Sequence, residues 1–212
     1  PLFRLSAPAP AGRQVKVIVL DDAAWREWAP RLGAVFPAAA FWPESAAALP
    51  APEAALDGLF EQYDEIYLLP MRGAGPAAFT GDERAQTHIR RRYFLLGRTL
   101  EELQTFDLVQ AMNTVNLDGK TVTLEGRGPV AGMLVYASLF GPPPLSLELH
   151  DLPASHDEGP HYLSIRRYLD LPAALLLAAH SNEVTVYGGG EEVEALREVG
   201  RRYGVELRVV AK

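Results

Sequence analysis

The sequence contains no cysteine among its 212 residues. This absence excludes disulfides, zinc sites built on thiolates and a cysteine nucleophile, and it leaves the compartment open, an extracytoplasmic one included. Long apolar runs are also lacking, since no stretch approaches the roughly 18 residues that a membrane-spanning helix needs. No signal peptide is visible either. We therefore expect a soluble chain that does not associate with membranes.

Basic residues are in the minority, with 20 Lys and Arg against 27 Asp and Glu and a net charge of −7. An acidic surface repels phosphate backbones, so we expect no nucleic-acid partner. The one basic run, at positions 90–92, is interpreted as a solvated helix face. The triple glycine at positions 188–190 lacks the Lys-Ser/Thr pair of a phosphate-binding loop. We accordingly predict no cofactor.

The sequence does contain strand patterns that alternate with helical ones. The predicted strands span 15–20, 64–70, 120–125, 145–149, 183–187 and 205–210. The predicted helices span 23–32, 54–63, 84–115 with a break at Gly97, 130–140 and 191–203. This alternation predicts an α/β fold, a three-layer α/β/α sandwich around a mostly parallel sheet. We expect residues 1–212 to form one domain, with 1–13 as a linker or edge segment.

Three tryptophans raise the question of a sugar-binding platform. Trp25 and Trp28 have the spacing of one helix face, which favours a position in the core over a platform shared with Trp42.

The sharpest local feature is a glycine turn between the third predicted strand and the helix after it. The turn reads Gly126-Arg127-Gly128-Pro129. In a nucleophile elbow, G-x-S-x-G places a serine on a strained turn above the carboxyl edge of a sheet. Function in parallel sheets is concentrated at this edge, so the turn is the first candidate site.

Three segments together resemble the acetyl xylan esterase-like branch of the α/β hydrolases. They are the glycine turn, the loop RGAGP after DEIYLLP, and the helical stretch around LGRTL. The matching positions outside the turn are Arg72, Gly73, Gly75, Leu96, Gly97, Arg98 and Leu100. The resemblance covers residues 15–210 and implies a carbohydrate-esterase ancestry. The two strands that usually open this fold are not obvious, so we expect other domains of a longer polypeptide as partners.

The catalytic residues that the resemblance implies are missing from the turn. The serine position is occupied by Gly128 in one frame and by Val130 in the other, and neither side chain can attack a carbonyl. The nearest serine, Ser138, lies farther along the following helix. Pro129 adds a second defect in the first frame, because it has no N–H to complete an oxyanion hole. Proline nonetheless suits a first helical turn.

The other members of a catalytic triad are also in doubt. The acid is expected after the fifth strand, where Glu191 and Glu192 lie, although acidic residues are favoured at any helix N-terminus. The base is expected after the last strand, and none of the five histidines lies beyond it.

Polar residues elsewhere suggest binding in place of catalysis. The candidate binding residues are Arg72, Arg127, His150, Asp151 and His156. The two arginines could clamp a carboxylate or a sugar acid, or each could pair with a local acid such as Glu125 or Asp151. The histidines from His150 to His161 match no metal-binding spacing, so no metal is predicted.

The sequence therefore predicts a catalytically degenerate hydrolase-like domain. It would serve as a structural or ligand-binding part of a larger esterase-related protein, with a small-molecule or carbohydrate ligand. The alternative is an active carboxylester hydrolase, which requires catalytic residues that are not recognised here or that lie outside the chain.

Overall fold

The computed structural model describes residues 2–6, 14–35, 57–114, 119–141, 145–188 and 190–211. The chain divides into two compact units, Pro1–Phe79 and Thr80–Lys212. Each unit combines strands with helices, and all strand pairs described within the units are parallel except one. The prediction of an α/β fold with a mostly parallel sheet is confirmed. No helix of the described residues is long and apolar enough to cross a membrane.

The described part of the first unit has three strands and one α-helix. Its elements are β1 (Phe3–Ser6), β2 (Gln14–Leu20), α1 (Asp22–Val35) and β3 (Glu65–Pro70), with 3₁₀ turns at Asp57–Glu61 and Gly75–Ala77. Strand β3 pairs in parallel with β2 and antiparallel with β1, which lies at the edge. The helix predicted at 54–63 is a short 3₁₀ turn where the structure describes it.

The core of the first unit forms where α1 packs on the strands. Trp25 and Trp28 are buried there against Leu20, Ile66 and Leu68. The predicted core position of these two tryptophans is confirmed, whereas Trp42 lies outside the described residues. The exclusion of apolar surface from water is the main force that holds this unit together.

Among the residues that the structure describes, the second unit contains four strands. Its elements are α2 (Glu83–Leu95), α3 (Leu100–Thr114), β4 (Thr121–Arg127), α4 (Pro129–Ser138), β5 (Ser146–His150), a 3₁₀ turn (Ile165–Arg167), α5 (Leu171–Ser181), β6 (Glu183–Tyr187), α6 (Gly190–Arg202) and β7 (Leu207–Val210). The four strands pair in parallel in the order β4-β5-β6-β7. The predicted break at Gly97 separates α2 from α3, and Gly97 has φ of +67°.

Three helices cover one face of this four-stranded sheet. Successive strands advance in one direction, and right-handed crossovers then place α4, α5 and α6 on the same side. Leu124 and Gly126 point toward α4, since a Cβ at Gly126 would lie 2.8 Å from Leu134 Cδ1. The alternate residues Glu125 and Glu148 point to the opposite face and are half-buried. Strands of parallel sheets are usually apolar on both faces, so this polar face is unusual and is a candidate for binding.

Candidate functional site

The glycine turn after β4 has the backbone of an elbow. Gly128 has φ of 56° and ψ of −132°, a conformation that residues with a Cβ rarely adopt. Its N–H donates to the His150 carbonyl at 2.8 Å, and α4 begins at the next residue, Pro129. This is the sharp strand-to-helix turn on which hydrolases present a nucleophile.

The structure distinguishes the two possible frames of the elbow. A Cβ built on Gly128 meets nothing within 4 Å, so this position opens on free space. Val130 is buried, with 4% of its surface exposed. Gly126 fits the first glycine of the motif, because its Cβ would approach Val130 Cγ1 to 2.9 Å. The nucleophile position is therefore that of Gly128.

Nothing at this position can act as a nucleophile. Gly128 has no side chain, and Pro129 has no N–H to stabilise an oxyanion. Ser138 does not substitute, since it is buried at the end of α4 and its Oγ donates to the Val135 carbonyl at 2.8 Å. The turn therefore has the backbone geometry that the elbow motif requires, and its residues Gly128 and Pro129 provide neither a nucleophile nor the following N–H.

The two acid candidates lie in the first turn of α6. Glu191 and Glu192 are both exposed there. Negative side chains stabilise this end of a helix through its dipole. Their position therefore agrees with the alternative role, that of stabilising the helix N-terminus.

Six residues of the polar sheet face form what we call the edge patch. They lie at or near the carboxyl ends of β4, β5 and β6, and they are Glu125, Arg127, Glu148, His150, Asp151 and Tyr187. Arg127 and Tyr187 both lie in register with His150. The structure thus brings together three predicted binding residues, Arg127, His150 and Asp151.

Ion pairs and ring stacking order the edge patch. Arg127 Nε lies 3.6 Å from Asp151 Oδ2, which agrees with the predicted alternative that this arginine pairs with a local acid. The rings of His150 and Tyr187 stack at 4.5 Å with an interplanar angle of 10°. His150 Nε2 lies 3.9 Å from Glu125 Oε1. The groups remain accessible, with 64% of the Arg127 side chain and 24% of the His150 side chain exposed.

The edge patch also contains possible metal ligands. One atom each of Glu125, Glu148 and His150 lies within 4.8 Å of the others. Carboxylate oxygens and imidazole nitrogens are ligand types for several divalent cations. A metal ion bound by these three residues would require a neutral His150. The two carboxylates, those of Glu125 and Glu148, lie directly opposite each other on the adjacent strands β4 and β5.

His156 was a predicted binding residue, but it is buried, with 5% of its surface exposed. Its Nδ1 lies 2.5 Å from the Pro160 carbonyl and its Nε2 lies 2.8 Å from the Tyr136 hydroxyl. Because a carbonyl oxygen only accepts, Nδ1 carries a proton. If His156 is neutral, its Nε2 accepts a hydrogen bond from the Tyr136 hydroxyl. If His156 is protonated, its Nε2 donates to the Tyr136 hydroxyl, which then donates to the Leu169 carbonyl at 3.0 Å.

Aromatic and acidic groups complete this interior network. Burial, together with the nearby Asp170 carboxylate, raises the pKa of Tyr136 to about 12. Burial also raises the pKa of Tyr162, whose hydroxyl lies 2.5 Å from Thr105 Oγ1. Tyr162 packs against both His156 and Tyr136. Each polar group has a partner here, so the network holds the loop after β5 on α4.

The remaining predicted binding residue, Arg72, belongs to the first unit. It is half-buried in the loop after β3 and engages in interactions there. The loop depends on glycine, since a Cβ at Gly75 would lie 2.6 Å from the Trp25 ring and φ at this residue is +51°.

Sequence reasoning missed Glu125, Glu148 and Tyr187 as members of the patch. The available signal was the alternation of polar and apolar residues along β4, β5 and β6, which marks one sheet face as polar. A comparison of the chain with known protein families, curated proteins and solved structures finds no match.

Proposed function

We propose that this chain is a hydrolase-like domain that does not catalyse ester hydrolysis and that binds a hydroxyl-rich ligand at the edge patch. The observation that supports the first part most directly is the pair Gly128–Pro129 at the elbow position. The turn has the required shape, yet it provides neither a nucleophile nor the N–H of the following residue. The resemblance to acetyl xylan esterases supports the same assignment.

The composition of the edge patch supports a neutral, hydroxylated ligand. Carboxylates accept hydrogen bonds and a guanidinium donates them, and a sugar hydroxyl is able to do both. Three acids, Glu125, Glu148 and Asp151, outnumber the one permanent cation, Arg127. A ligand with its own carboxylate is therefore repelled, which argues against the sugar acid that the sequence allowed. The accessible ring pair of His150 and Tyr187 offers a surface on which a sugar ring can pack.

The absence of catalysis is tested with p-nitrophenyl acetate and a fluorophosphonate probe. We expect hydrolysis at the rate of buffer alone and no labelling of the protein. A serine esterase assayed in parallel serves as the control. Turnover well above buffer that the probe abolishes would show that the chain is an active carboxylester hydrolase, and the proposal would then be wrong.

A second variant tests the elbow directly. The double substitution Gly128→Ser with Pro129→Gly provides a nucleophile and the following N–H. We expect no turnover, because the ring of His150 stacks on Tyr187 and both ring nitrogens of His156 already have hydrogen-bond partners. Probe labelling of the double variant without turnover would locate the defect in the base.

Ligand binding is tested by titration calorimetry with neutral xylo-oligosaccharides. We expect Tyr187→Ala to raise the Kd at least about tenfold, because the stacking surface is lost. The matched control is Tyr168→Ala, which removes an equally large side chain that is 83% exposed and outside the patch. Absence of binding to the unchanged chain, or equal effects of the two substitutions, would refute the ligand assignment.

A further inference from the structure

Helix α5 is apolar on every side, yet one side faces solvent. Its sequence LPAALLLAAHS contains polar side chains only at its end. A helix of this kind is normally buried all round. Leu171, Ala174 and Leu175 are buried, but 53% of Leu177 is exposed. The single chain therefore leaves part of this helix uncovered.

The neighbouring helix α6 extends this apolar surface. Val199 is 40% exposed and Tyr203, just past the helix, is 78% exposed. Two hollows, of about 600 and 370 Å³, lie beside these helices. The larger is lined by α5, α6 and the loop after β5, and the smaller by α5 and the C-terminal end of α6. We call this surface the α5–α6 face, formed by Leu176, Leu177, Leu196, Val199 and Tyr203. Contiguous apolar patches of this kind mark interaction sites.

The excess charges at the two ends of the α5–α6 face differ in sign. Both helices follow parallel strands of one sheet and point the same way, so their N-terminal ends lie together, as do their C-terminal ends. At the N-terminal end, Glu158 and Glu192 line the larger hollow, together with Asp157, which is paired with Arg166. At the C-terminal end, His180 lines the smaller hollow and α6 ends in the exposed Arg202 and in Arg201, which is paired with Glu198.

We propose that the α5–α6 face binds a second copy of this chain through a two-fold axis. A two-fold interface requires a surface that is complementary to itself. An antiparallel copy laid on this face meets acid with base at both ends and apolar side chains in the middle. In the same arrangement the positive N-terminal end of each helix lies beside the negative C-terminal end of a helix in the other copy, which is favourable for the helix dipoles. It also offsets the general repulsion between two chains of net charge −7.

Sedimentation velocity over a wide range of protein concentration tests the dimer. We expect reversible association to twice the mass of one chain, weakened by added salt because the end contacts are ionic. Leu177→Glu should raise the dimer Kd at least about tenfold, since it places a charge in the apolar centre. The matched control, Leu95→Glu, alters a leucine at the end of α2 that is 86% exposed, and it should leave the Kd unchanged.

A charge exchange tests the antiparallel arrangement. Glu192→Arg and Arg202→Glu should each raise the Kd several-fold, and the double variant should return it to within about twofold of the original. The two residues are about 15 Å apart along one helix and do not reach each other within a chain. Rescue therefore requires contact between copies. Thermal melts of every variant check that the fold is kept.

Three outcomes overturn the proposal. They are a chain that stays monomeric at every concentration, a dimer that Leu177→Glu does not weaken, and a charge exchange that shows no rescue. None of them bears on the edge patch, because the α5–α6 face lies on the opposite, helical side of the sheet.

Discussion

The turn after β4 and the loop after β5 leave neighbouring strands at the same edge, but they are built in opposite ways. The turn depends on backbone shape alone, since Gly128 contributes no side chain and Pro129 no N–H. The loop is held by buried side chains, with His156 bonded to Tyr136 and to the Pro160 carbonyl. Shifted pKa values often mark catalytic sites. Here burial raises the pKa values of Tyr136 in α4 and Tyr162 in the loop, which pack against each other, so these two shifts are explained by structural burial.

Gly132 is the point where the two regions meet, and its substitution should have the largest effect. A Cβ there would collide with Cδ of the Pro160 ring, which cannot turn aside. We expect Gly132→Ala to lower the free energy of unfolding by about 3 kcal/mol, measured by urea denaturation. The control is Gly58→Ala, whose new methyl group meets nothing within 4 Å. Equal losses in the two variants would show that the contact between α4 and the loop is not decisive.

The hydrogen bond between Tyr136 and His156 should rank second. Tyr136→Phe leaves a buried imidazole nitrogen without its partner, which should cost about 2 kcal/mol of unfolding free energy. Tyr168→Phe, at an exposed tyrosine, should cost almost nothing. Combining Tyr136→Phe with His156→Phe should give less than the sum of the single effects, because both remove the same bond. Strict additivity would contradict the network.

Asp170 should have a smaller effect, which is present at neutral pH and disappears in acid. Burial alone would raise the pKa of its carboxyl group. Hydrogen bonds from the N–H groups of Leu171 and His156, together with the side chains of His156 and Arg166, outweigh this effect, so the pKa of Asp170 is lowered overall. A group with a lowered folded pKa stabilises the protein above its unfolded pKa, and this contribution is lost as pH falls through the folded value. Asp170→Asn should therefore flatten the acid limb of stability against pH. If the curves of unfolding free energy against pH run parallel for Asp170→Asn and the unchanged chain, the ionisation of Asp170 contributes nothing to stability.

Arg127→Ala should have the smallest effect on stability. Its ion pair with Asp151 is exposed, and such pairs contribute less than about 1 kcal/mol. The same substitution should weaken binding of xylo-oligosaccharides in calorimetry if the edge patch is the ligand site. If the Arg127→Ala variant loses stability but keeps its affinity for the ligand, Arg127 has a structural role and does not contribute to binding.

Most strands could be predicted from the sequence, because buried parallel strands are short β-branched runs. The run at 183–187 coincides with β6, and the other predictions miss by one to two residues at their ends. Strand β1 was only allowed for as an edge segment, since Phe3–Ser6 carries no such run. Helix α5 was missed because its sequence is apolar almost throughout and therefore shows no alternation of polar and apolar residues with a 3.6-residue period.

The candidate site was predicted only in part. Gly128 was one of two alternatives in the sequence, and the structure separates them through the open space at Gly128 and the burial of Val130. The partners of Arg127 and His150 depend on strand register, which a single sequence does not specify. His156 was predicted to be a binding residue in a polar loop, and its burial arises from long-range packing on Tyr136.

The dihedral angles of Gly128 carry an energetic consequence for any side chain placed at this turn. A serine held at φ of 56° would strain the backbone by about 1–3 kcal/mol, and glycine avoids that strain. The substitution Gly128→Ser alone would therefore lower stability, while Pro129 would still lack the N–H of an oxyanion hole. At this position the backbone conformation that would expose a nucleophile is thus the one that glycine adopts at the lowest free energy.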